Sequence, residues 1–167
     1  MAKPPCYFTT PIYYVNDRPH IGHAYTSLAT DVLARFKRLD GHEVFFLTGT
    51  DEHGQKVEKA AQDAGEDPQA FSDRVSQAFR DLTTTMGFSN DDFIRTTELR
   101  HKAACVALWK ELAARGEIYL GDYEGWYAVR DEAFYGPDEI VERDGVKYAP
   151  TGAPVEWESE PSSFYRL

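Results

Sequence analysis

The stretch "PIYYVNDRPHIGHAY", residues 11–25, decides the fold of this chain. Its first part is aromatic and β-branched and ends in the turn residues "NDRP", which is typical of a buried strand. Its last part opens an apolar pattern with helical spacing. Two histidines, His20 and His23, stand around Gly22 where the strand gives way to the helix. Helix starts usually carry Ser, Thr, Asp or Asn, so this pair calls for an explanation.

Outward from this stretch, residues 1–117 alternate strand and helix patterns. Residues 6–15, 43–50 and 91–97 are β-branched or continuously apolar, and we expect them to form strands. Four amphipathic or capped segments predict helices at residues 21–39, 55–65, 67–87 and 98–116. In the first helix the apolar residues that recur at helical spacing are Ile21, Tyr25, Leu28, Val32, Leu33, Phe36 and Leu39.

This alternation predicts an α/β fold, the first half of a doubly wound parallel nucleotide-binding sheet. From residue 118 onward the segments become short and aromatic, with frequent Gly and Pro and the hairpin pair Asp144-Gly145. We therefore predict two domains. Residues 1–117 form half of the nucleotide-binding domain, and residues 118–167 form a β-rich connective insert.

Composition excludes several classes of protein. The net charge of −10 makes broad coating of a nucleic acid through phosphate contacts a poor explanation of function. No run approaches the about 18 apolar residues that span a bilayer, so no membrane partner is expected. The two cysteines, Cys6 and Cys105, are far apart in apolar surroundings, which favours reduced thiols and a cytoplasmic protein.

The histidine pair lies where ligands bind in open α/β sheets, outside the carboxyl ends of the strands. The free N–H groups at the start of a helix attract phosphate. His20 and His23 project to one side of the first turn, and Gly22 lets a ligand approach the backbone closely. The pattern suits a nucleoside triphosphate, whose developing charge the imidazoles would stabilise without a covalent intermediate.

Other interpretations stay open on the residues alone. The histidines could ligate a metal, although no third strong ligand is near in sequence, or be ordinary polar residues at a helix start. No glycine-rich dinucleotide fingerprint or phosphate loop is present, which argues against a dehydrogenase or a kinase-like enzyme. Asp51, in "LTGTDEHGQK", leaves the second strand at the same edge. It could bind an ammonium group or Mg²⁺, or merely cap the next helix.

At this point the chain resembles a known family. The tetrapeptide at residues 20–23 is similar to the HIGH signature of class I aminoacyl-tRNA synthetases. Together with "TTPIYYVNDRPHIGHAYT", "TDVLARFKRLDGHEVFFLTGTDEHGQKVEKAA" and "DDFIRTTELRHK", it resembles the methionyl-tRNA synthetases over roughly residues 7–167. The segment "TGTDEHG" separates that family from other class I members.

The resemblance implies roles for individual residues. In the methionine pocket, the backbone of Ile12 would contact the substrate and the Tyr14 ring would pack against the thioether. The Asp51 carboxylate would bind the α-ammonium group. The positions that would contact ATP are Tyr14, Asn16, His20, Gly22 and His23. The two histidines would be the catalytic groups among these, and Thr10 and His53 would have supporting roles.

The resemblance also implies a methionine-tRNA ligase reaction in two steps. Methionine and Mg²⁺-ATP would give methionyl-adenylate and pyrophosphate, and the methionyl group would then pass to tRNA(Met) for protein synthesis. Positioning and charge stabilisation would supply most of the catalysis. The partners implied are methionine, ATP and tRNA(Met), and a monomer is the expectation for the oligomeric state.

The chain departs from the family pattern in two ways. Zinc knuckles of the connective insert carry Cys-x-x-Cys pairs, but here Ala128 and Asp131 stand in those places and "YAPTGAPVEW" has no cysteine, so no zinc is expected. Aromatic residues would hold the insert instead: Tyr123, Trp126, Tyr127, Phe134, Tyr135 and Trp157.

The second departure is length. The lysine-rich KMSKS loop, the second half of the sheet and the anticodon-reading domain have no counterpart, so we expect an amino-terminal portion of a longer enzyme, inactive alone. One alternative is a nucleotide- or methionine-binding fragment without ligase activity. A nucleotidylyltransferase of the same superfamily fits less well, because "TGTDEHG" and the insert would be surplus. A half sheet would leave an apolar edge exposed and behave poorly in solution.

Overall fold

The computed structural model describes residues 3–166 and divides into two compact units, Met1–Ala104 and Cys105–Leu167. Met1, Ala2 and Leu167, the outer ends of the two predicted domains, lie outside the described residues. Within residues 3–166, no helix has the length and apolar character needed to cross a membrane.

The first unit is built from parallel strands and the helices that connect them. Its elements, in chain order, are β1 (Cys6–Thr9), β2 (Tyr13–Tyr14), α1 (Ile21–Leu39), β3 (Val44–Asp51), α2 (Gln55–Ala64), α3 (Pro68–Thr85), β4 (Asp92–Arg95) and the start of α4 (Leu99–Ala114). The predicted α/β class and the four predicted helices are confirmed. Asp67 caps α3, since its carboxylate accepts the N–H groups of Gln69 and Ala70.

β3 is the central strand of this sheet. Thr50 on β3 pairs with Tyr13 on one side and with Arg95 on the other, and all the pairings are parallel. β1 and β2 therefore share one edge of β3, and β4 lies at the other. Because parallel strands end at the same edge, the carboxyl ends of β2, β3 and β4 come together beside the start of α1.

The first strand is interrupted, so the single strand predicted over residues 6–15 was wrong. Four steps lead from Thr9 to Tyr13, but only three lead from Leu47 to Thr50 on the paired strand. The extra residue falls around Pro11, which has no N–H to give to the ladder. The interruption leaves Ile12 40% exposed at the sheet edge.

Helix α1 has the predicted bounds but not the expected buried face. It buries Ser27, Asp31 and Ala34. The seven apolar residues predicted from its spacing are all exposed, up to 87% for Ile21 and 90% for Leu39. The spacing correctly identified one face of the helix. That face is not the one that packs on the sheet. The buried face carries Ser27, which bonds to Tyr13 on β2, and Asp31, which bonds to Ser89 before β4.

The hydrophobic core of this unit lies under α2 and α3, on the same face of the sheet as α1, since Tyr13 bonds to Ser27 on α1 and stacks on Phe79 of α3. Its buried members are Tyr13, Val15, Val57, Ala61, Phe71, Val75, Phe79 and Phe93. Gly49 on β3 is packed tightly against β4, since a Cβ there would lie 2.0 Å from the carbonyl oxygen of Ile94.

The strands of the second unit pair antiparallel. It contains the end of α4, then β5 (Ile118–Ala128), β6 (Ala133–Tyr135), β7 (Val141–Arg143), β8 (Val146–Tyr148) and β9 (Glu156–Tyr165). β6, β5 and β9 form one sheet, and β7 pairs with β8. Asp144 and Gly145 join β7 to β8 with φ values of 52° and 77°, the turn that this dipeptide favours.

The division between the units falls inside α4, whereas the sequence places the change of character at 117/118. β5 does begin at Ile118. The end of α4 nevertheless runs on into the sheet, because the N–H of Glu117 bonds back to Leu112 and its carbonyl accepts the N–H of Arg166. The backbone is thus continuously hydrogen-bonded from the last turn of the helix to β9.

Candidate active site

A cleft of about 510 Å³ lies where the strand edge meets the start of α1. Five predicted site residues line it together with residues that the sequence did not single out: Ile12, Tyr14, Asn16, His20 and His23. The complete lining is Ile12, Tyr13, Tyr14, Asn16, Asp17, Arg18, His20, His23 and Lys56.

The two histidines cap α1 reciprocally. Nδ1 of His20 accepts the N–H of Gly22 over 3.1 Å, and Nδ1 of His23 accepts the N–H of His20 over 3.1 Å. This is a capping box in which imidazole nitrogens replace the usual hydroxyl and carboxylate oxygens. The histidines are therefore helix-capping residues, as one of the open interpretations held, and the cap also fixes their chemistry.

The cap decides which nitrogen of each ring carries the proton. A backbone N–H can only donate, so Nδ1 of both His20 and His23 must be an unprotonated acceptor. Each ring is then neutral and carries its proton on Nε2. Two Nε2–H donors are left for a ligand, beside the positive end of the α1 dipole.

Two aromatic rings pack against the imidazole of His23. Its ring centroid lies 4.7 Å from that of Tyr13 and 5.0 Å from that of Phe79 on α3, both near edge-on. The hydroxyl of Tyr13 pairs with Ser27 Oγ at 2.9 Å, which fixes the Tyr13 ring. Burial, and to a lesser extent the neighbouring His20, lowers the pKa of His23 below 6.5, consistent with its neutral form.

Gly22 has a role that the sequence did not reveal. A Cβ on this residue would lie 2.9 Å from Cε1 and 3.0 Å from Nδ1 of His20. We expected a ligand to occupy the space beside Gly22. In the structure the His20 ring occupies that space, where it accepts the N–H of Gly22. The glycine is thus required by the cap itself.

Asp51 is the last residue of β3 and stands opposite Tyr14 in the ladder. Its carbonyl accepts the N–H of Val15 at 3.4 Å. The interpretation that Asp51 caps the next helix is wrong, because the N-cap of α2 is Gly54 and no side chain caps that helix. Asp51 is half-buried beside the cleft residues.

Thr10 and His53 do not line the cleft. Thr10 is buried, and its Oγ1 lies 2.7 Å from Thr48 Oγ1 across the sheet. His53 lines a separate cavity of about 390 Å³ next to α2, and its Nε2 lies 3.4 Å from the carbonyl oxygen of Thr96. The structure therefore places both near the carboxyl edge but brings neither into the cleft.

Sequence reasoning missed the basic residues of the cleft. Arg18 and Lys56 line it, and the Lys56 ammonium lies 5.9 Å from the Tyr14 ring centroid. The signal was available, because Arg18 is in the turn before α1 and Lys56 in the first turn after "DEHG". They give an acidic chain the local positive site that a polyphosphate needs.

In the second unit, Ala128 and Asp131 stand where zinc knuckles carry a cysteine pair. Ala128 is fully buried. The Asp131 carboxylate accepts hydrogen bonds from the hydroxyls of Tyr135 and Thr151 and from Arg130. The bond from Thr151 lowers the pKa of Asp131 most; burial acts in the opposite direction, and the bonds from Arg130 and Tyr135 add to the lowering, so that the pKa is lowered overall. Across residues 3–166, no group of three or more His, Cys, Asp or Glu side chains is placed to hold a metal ion.

Five of the six aromatic residues predicted to hold this unit are in ring contact with one another. Tyr123 and Phe134 pack edge to face with centroids 4.6 Å apart, and Trp126 and Trp157 do so at 5.3 Å. Phe134 also lies 4.8 Å from Tyr127. Cross-strand aromatic pairs of this kind stabilise a sheet.

The parallel half sheet, with a histidine cap at the amino end of its first helix, has the architecture of a class I tRNA synthetase catalytic domain. A family model described as "tRNA synthetases class I (M)" matches residues 6–148. The chain belongs to this family.

Relatives and solved structures agree with the family model. The "Methionine--tRNA ligase" of Rickettsia bellii (strain RML369-C) is 67% identical over 161 residues, which are 96% of this chain and 31% of that protein. The protein of the same name from Mesorhizobium japonicum is 56% identical over 168 residues, or 100% of this chain and 33% of that one. The chain thus spans about a third of the length of these relatives.

One solved structure that the fold resembles is Mycobacterium tuberculosis methionyl-tRNA synthetase bound by methionyl-adenylate. The TM-score is 0.88 at 48% identity, covering 97% of this chain and 32% of that one. The free-state structure of the same enzyme gives a TM-score of 0.67 at 42% identity, covering 99% and 31%.

Proposed function

We propose that this chain supplies the first half of the active site of a methionine-tRNA ligase. The reaction is the ATP-dependent activation of methionine to methionyl-adenylate, followed by transfer of the methionyl group to tRNA(Met). The observation that carries the proposal is the pair of neutral imidazoles at the start of α1. They cap the helix through Nδ1 and keep Nε2–H for a ligand in the same cleft as Tyr14 and Asn16.

The triphosphate of Mg²⁺-ATP would bind at the α1 end of this cleft. His20, His23 and the helix amino end are donors to phosphate oxygens, and Arg18 and Lys56 supply positive charge. Neutral imidazoles suit a site where charge grows during reaction, since they donate without forming a permanent ion pair in the ground state. Asn16 and Gly22 complete the ATP side.

Methionine would bind at the strand side of the cleft. Asp51 is the carboxylate for the α-ammonium group, and Tyr14, its partner in the ladder, is the wall against the thioether. Ile12, exposed by the interruption after β1, offers its backbone to the substrate. Thr10 and His53 act only in support, by bracing the strand ends.

The chemistry follows from this placement. A carboxylate oxygen of methionine attacks the α-phosphorus of ATP, the bond to the bridging oxygen of pyrophosphate breaks, and pyrophosphate carries away the electron pair. A terminal hydroxyl of the tRNA then attacks the methionyl carbonyl and releases AMP. No covalent enzyme intermediate is needed, so His20 and His23 act by charge stabilisation rather than as nucleophiles.

The remaining features of the proposal concern the setting of the enzyme. We place it in the cytoplasm, with Cys6 and Cys105 as reduced thiols and no membrane partner, as a monomer. Asp131 and its hydrogen-bond donors take the place of a zinc knuckle, so the proposal includes no structural zinc. Most tRNA contacts come from parts of the ligase other than this acidic chain.

The test is ATP–pyrophosphate exchange by the purified gene product that contains this chain, with each of the twenty amino acids in turn. We expect exchange with methionine and with no other amino acid at comparable concentration. Exchange driven by a different amino acid, or none at all, would overturn the proposal. Binding of ATP or methionine by a gene product without exchange would identify a binding module instead.

A further inference from the structure

A fully buried carboxylate lies directly after Asp51. The side chain of Glu52 is 0% exposed and accepts four hydrogen bonds. Arg95 on β4 provides two of them in a bidentate pair, from Nε at 2.7 Å and from Nη2 at 2.9 Å. Thr50 provides a third at 2.7 Å, and the hydroxyl of Thr97 provides the fourth.

Arg95 also connects the Glu52–Arg95 ion pair to helix α3. Its Nη2 also donates to Asp73 on α3 over 2.5 Å, and Thr50 Oγ1 lies 2.9 Å from Ser76 Oγ on the same helix. Burial by itself would raise the pKa of Glu52, but the donors, Arg95 foremost, outweigh it and lower that pKa. The carboxylate is therefore ionised and fully hydrogen-bonded.

The backbone around Asp51 is fixed by the same group of residues. The N–H of Glu52 donates to Thr96 Oγ1 over 2.9 Å, and the N–H of Thr96 donates to the carbonyl of Thr50 over 3.2 Å. On its other side Asp51 pairs with Tyr14. Asp51 therefore has the cleft residue Tyr14 on one side, and on the other side it is followed by Glu52, which is hydrogen-bonded to β4 and, through Arg95, to α3.

Successive side chains of a strand point to opposite faces, so Glu52 extends away from the face that carries Asp51. It cannot contact a ligand in the cleft and can act on one only through the backbone. We propose that Glu52 and Arg95 are positioning residues that hold the Asp51 carboxylate in the orientation that receives the amino group of the substrate. This rests on the proposed function, because it assumes that Asp51 binds that amino group.

Stability alone is a poor explanation for the pair. A buried ion pair contributes little to stability compared with apolar side chains of the same size, because both charges lose their hydration. A buried ion pair that fixes the residue next to a ligand has a clear use, since a small displacement of a binding group costs much of its effect. Glu52 stands at that place, adjacent to Asp51.

The structure offers a matched control at the opposite edge of the sheet. Asp31 on α1 is also a buried carboxylate, with 6% side-chain exposure. It accepts the N–H and the hydroxyl of Ser89, each over 2.6 Å, and Arg35 Nε over 2.7 Å. Ser89 precedes β4, whereas Arg95 ends it, so Asp31→Asn tests the loss of a comparable group away from the cleft.

The experiment measures methionine-dependent ATP–pyrophosphate exchange by the full gene product, for Glu52→Gln, Arg95→Lys and Asp31→Asn. We expect Glu52→Gln to raise KM for methionine by about tenfold to a hundredfold, with KM for ATP nearly unchanged. Arg95→Lys, which keeps the charge but loses the bidentate contact, should have a smaller effect of the same kind. Asp31→Asn should lower the melting temperature and leave both KM values unchanged.

A competitor sharpens the test. Des-amino methionine has the same thioether and carboxylate but no amino group for Asp51. Its inhibition constant should be the same for wild type and Glu52→Gln. The double variant Asp51→Asn/Glu52→Gln should bind methionine no more weakly than Asp51→Asn alone, since Glu52 acts through Asp51.

The outcomes separate this proposal from the proposed function. If the wild-type protein shows no methionine-dependent exchange, the proposed function fails. If it does, an unchanged methionine KM in folded Glu52→Gln, or equal losses for methionine and its des-amino analogue, overturns the positioning role. Should Glu52→Gln not fold, the same comparison is made with Arg95→Lys, and equal losses there overturn the positioning role too.

Discussion

The backbone N–H of His20 donates to Nδ1 of His23 over 3.1 Å, and the two imidazole rings lie 3.9 Å apart. This one hydrogen bond fixes the protonation and the orientation of His23 from the peptide that begins the helix. The residues that we assign to ATP are therefore also the residues that start α1. Local folding and ligand binding depend on the same two side chains.

Substitution can separate the two roles of His20, capping α1 and binding ATP. Asn is a good N-cap and can accept the N–H of Gly22, but it has no Nε2–H group. We expect His20→Asn to keep the melting temperature and to lower kcat for exchange. His20→Ala should lose both, with about 1 kcal/mol less stability. Thermal unfolding and exchange kinetics of the two variants check this, and equal kcat for His20→Asn and wild type would contradict a ligand role.

Gly22→Ala addresses the space that the His20 ring occupies. The added Cβ would lie 2.9 Å from that ring, so the ring has to move and its bond to the backbone is lost. Alanine is the better helix former by about 1 kcal/mol, which offsets part of the lost cap. We therefore expect lower exchange activity with little change in melting temperature. Unaltered activity would show that the position of the His20 ring is unimportant.

The capping box predicts a pH dependence. It needs Nδ1 of His23 unprotonated, and the pKa of His23 is lowered in the fold, by burial first and by His20 second. As the pH falls below 6.5, the unfolded chain takes up this proton before the folded one does. The contribution of His23 to stability is therefore complete above pH 6.5 and declines as the pH falls toward the lowered pKa.

A pH series of melting temperatures for wild type and His23→Asn isolates this effect. The variant has no titrating group at this position, so its stability should fall less between neutral and mildly acidic pH. Parallel curves for the two proteins would show that His23 does not carry the effect.

Helix α1 shows what the sequence could and could not predict. Its bounds followed from the apolar spacing of residues 21–39, because that pattern is local. The spacing also grouped Tyr25, Leu28 and Val32 correctly on one face. It could not indicate that this face is exposed, because burial depends on what lies opposite, and the opposite face, with Ser27 bonded to Tyr13, is the buried one.

The candidate site divides in the same way. The histidines and the residues of β2 could be predicted because a short motif carries them. His23 packs against Phe79, and Arg95 bonds to Glu52, the residue after Asp51. Both contacts join positions more than forty residues apart. No local pattern encodes such contacts, and only the packing of α3 and β4 on the sheet creates them.

The exposed face of α1 predicts self-association of the isolated 167-residue chain. A contiguous apolar patch of this kind is unusual on a soluble monomer. We expect the sedimentation coefficient to rise with concentration, and the rise to be smaller for Val32→Lys/Phe36→Lys. Thr85→Lys on the exposed end of α3 adds a charge elsewhere and serves as the control. Equal association by the double variant and the control would exclude this face.

The central claim is that two residues at this cleft have different tasks: Asp51, which pairs with the cleft residue Tyr14, for the amino group of methionine, and His23, in the cleft, for the charge on ATP. It is tested most directly by exchange kinetics of Asp51→Asn and His23→Asn in the full gene product. We predict that Asp51→Asn raises KM for methionine, whereas His23→Asn lowers kcat by about a hundredfold and leaves KM for methionine nearly unchanged. Two folded variants with full activity, or with the same loss in the same constant, would contradict the account.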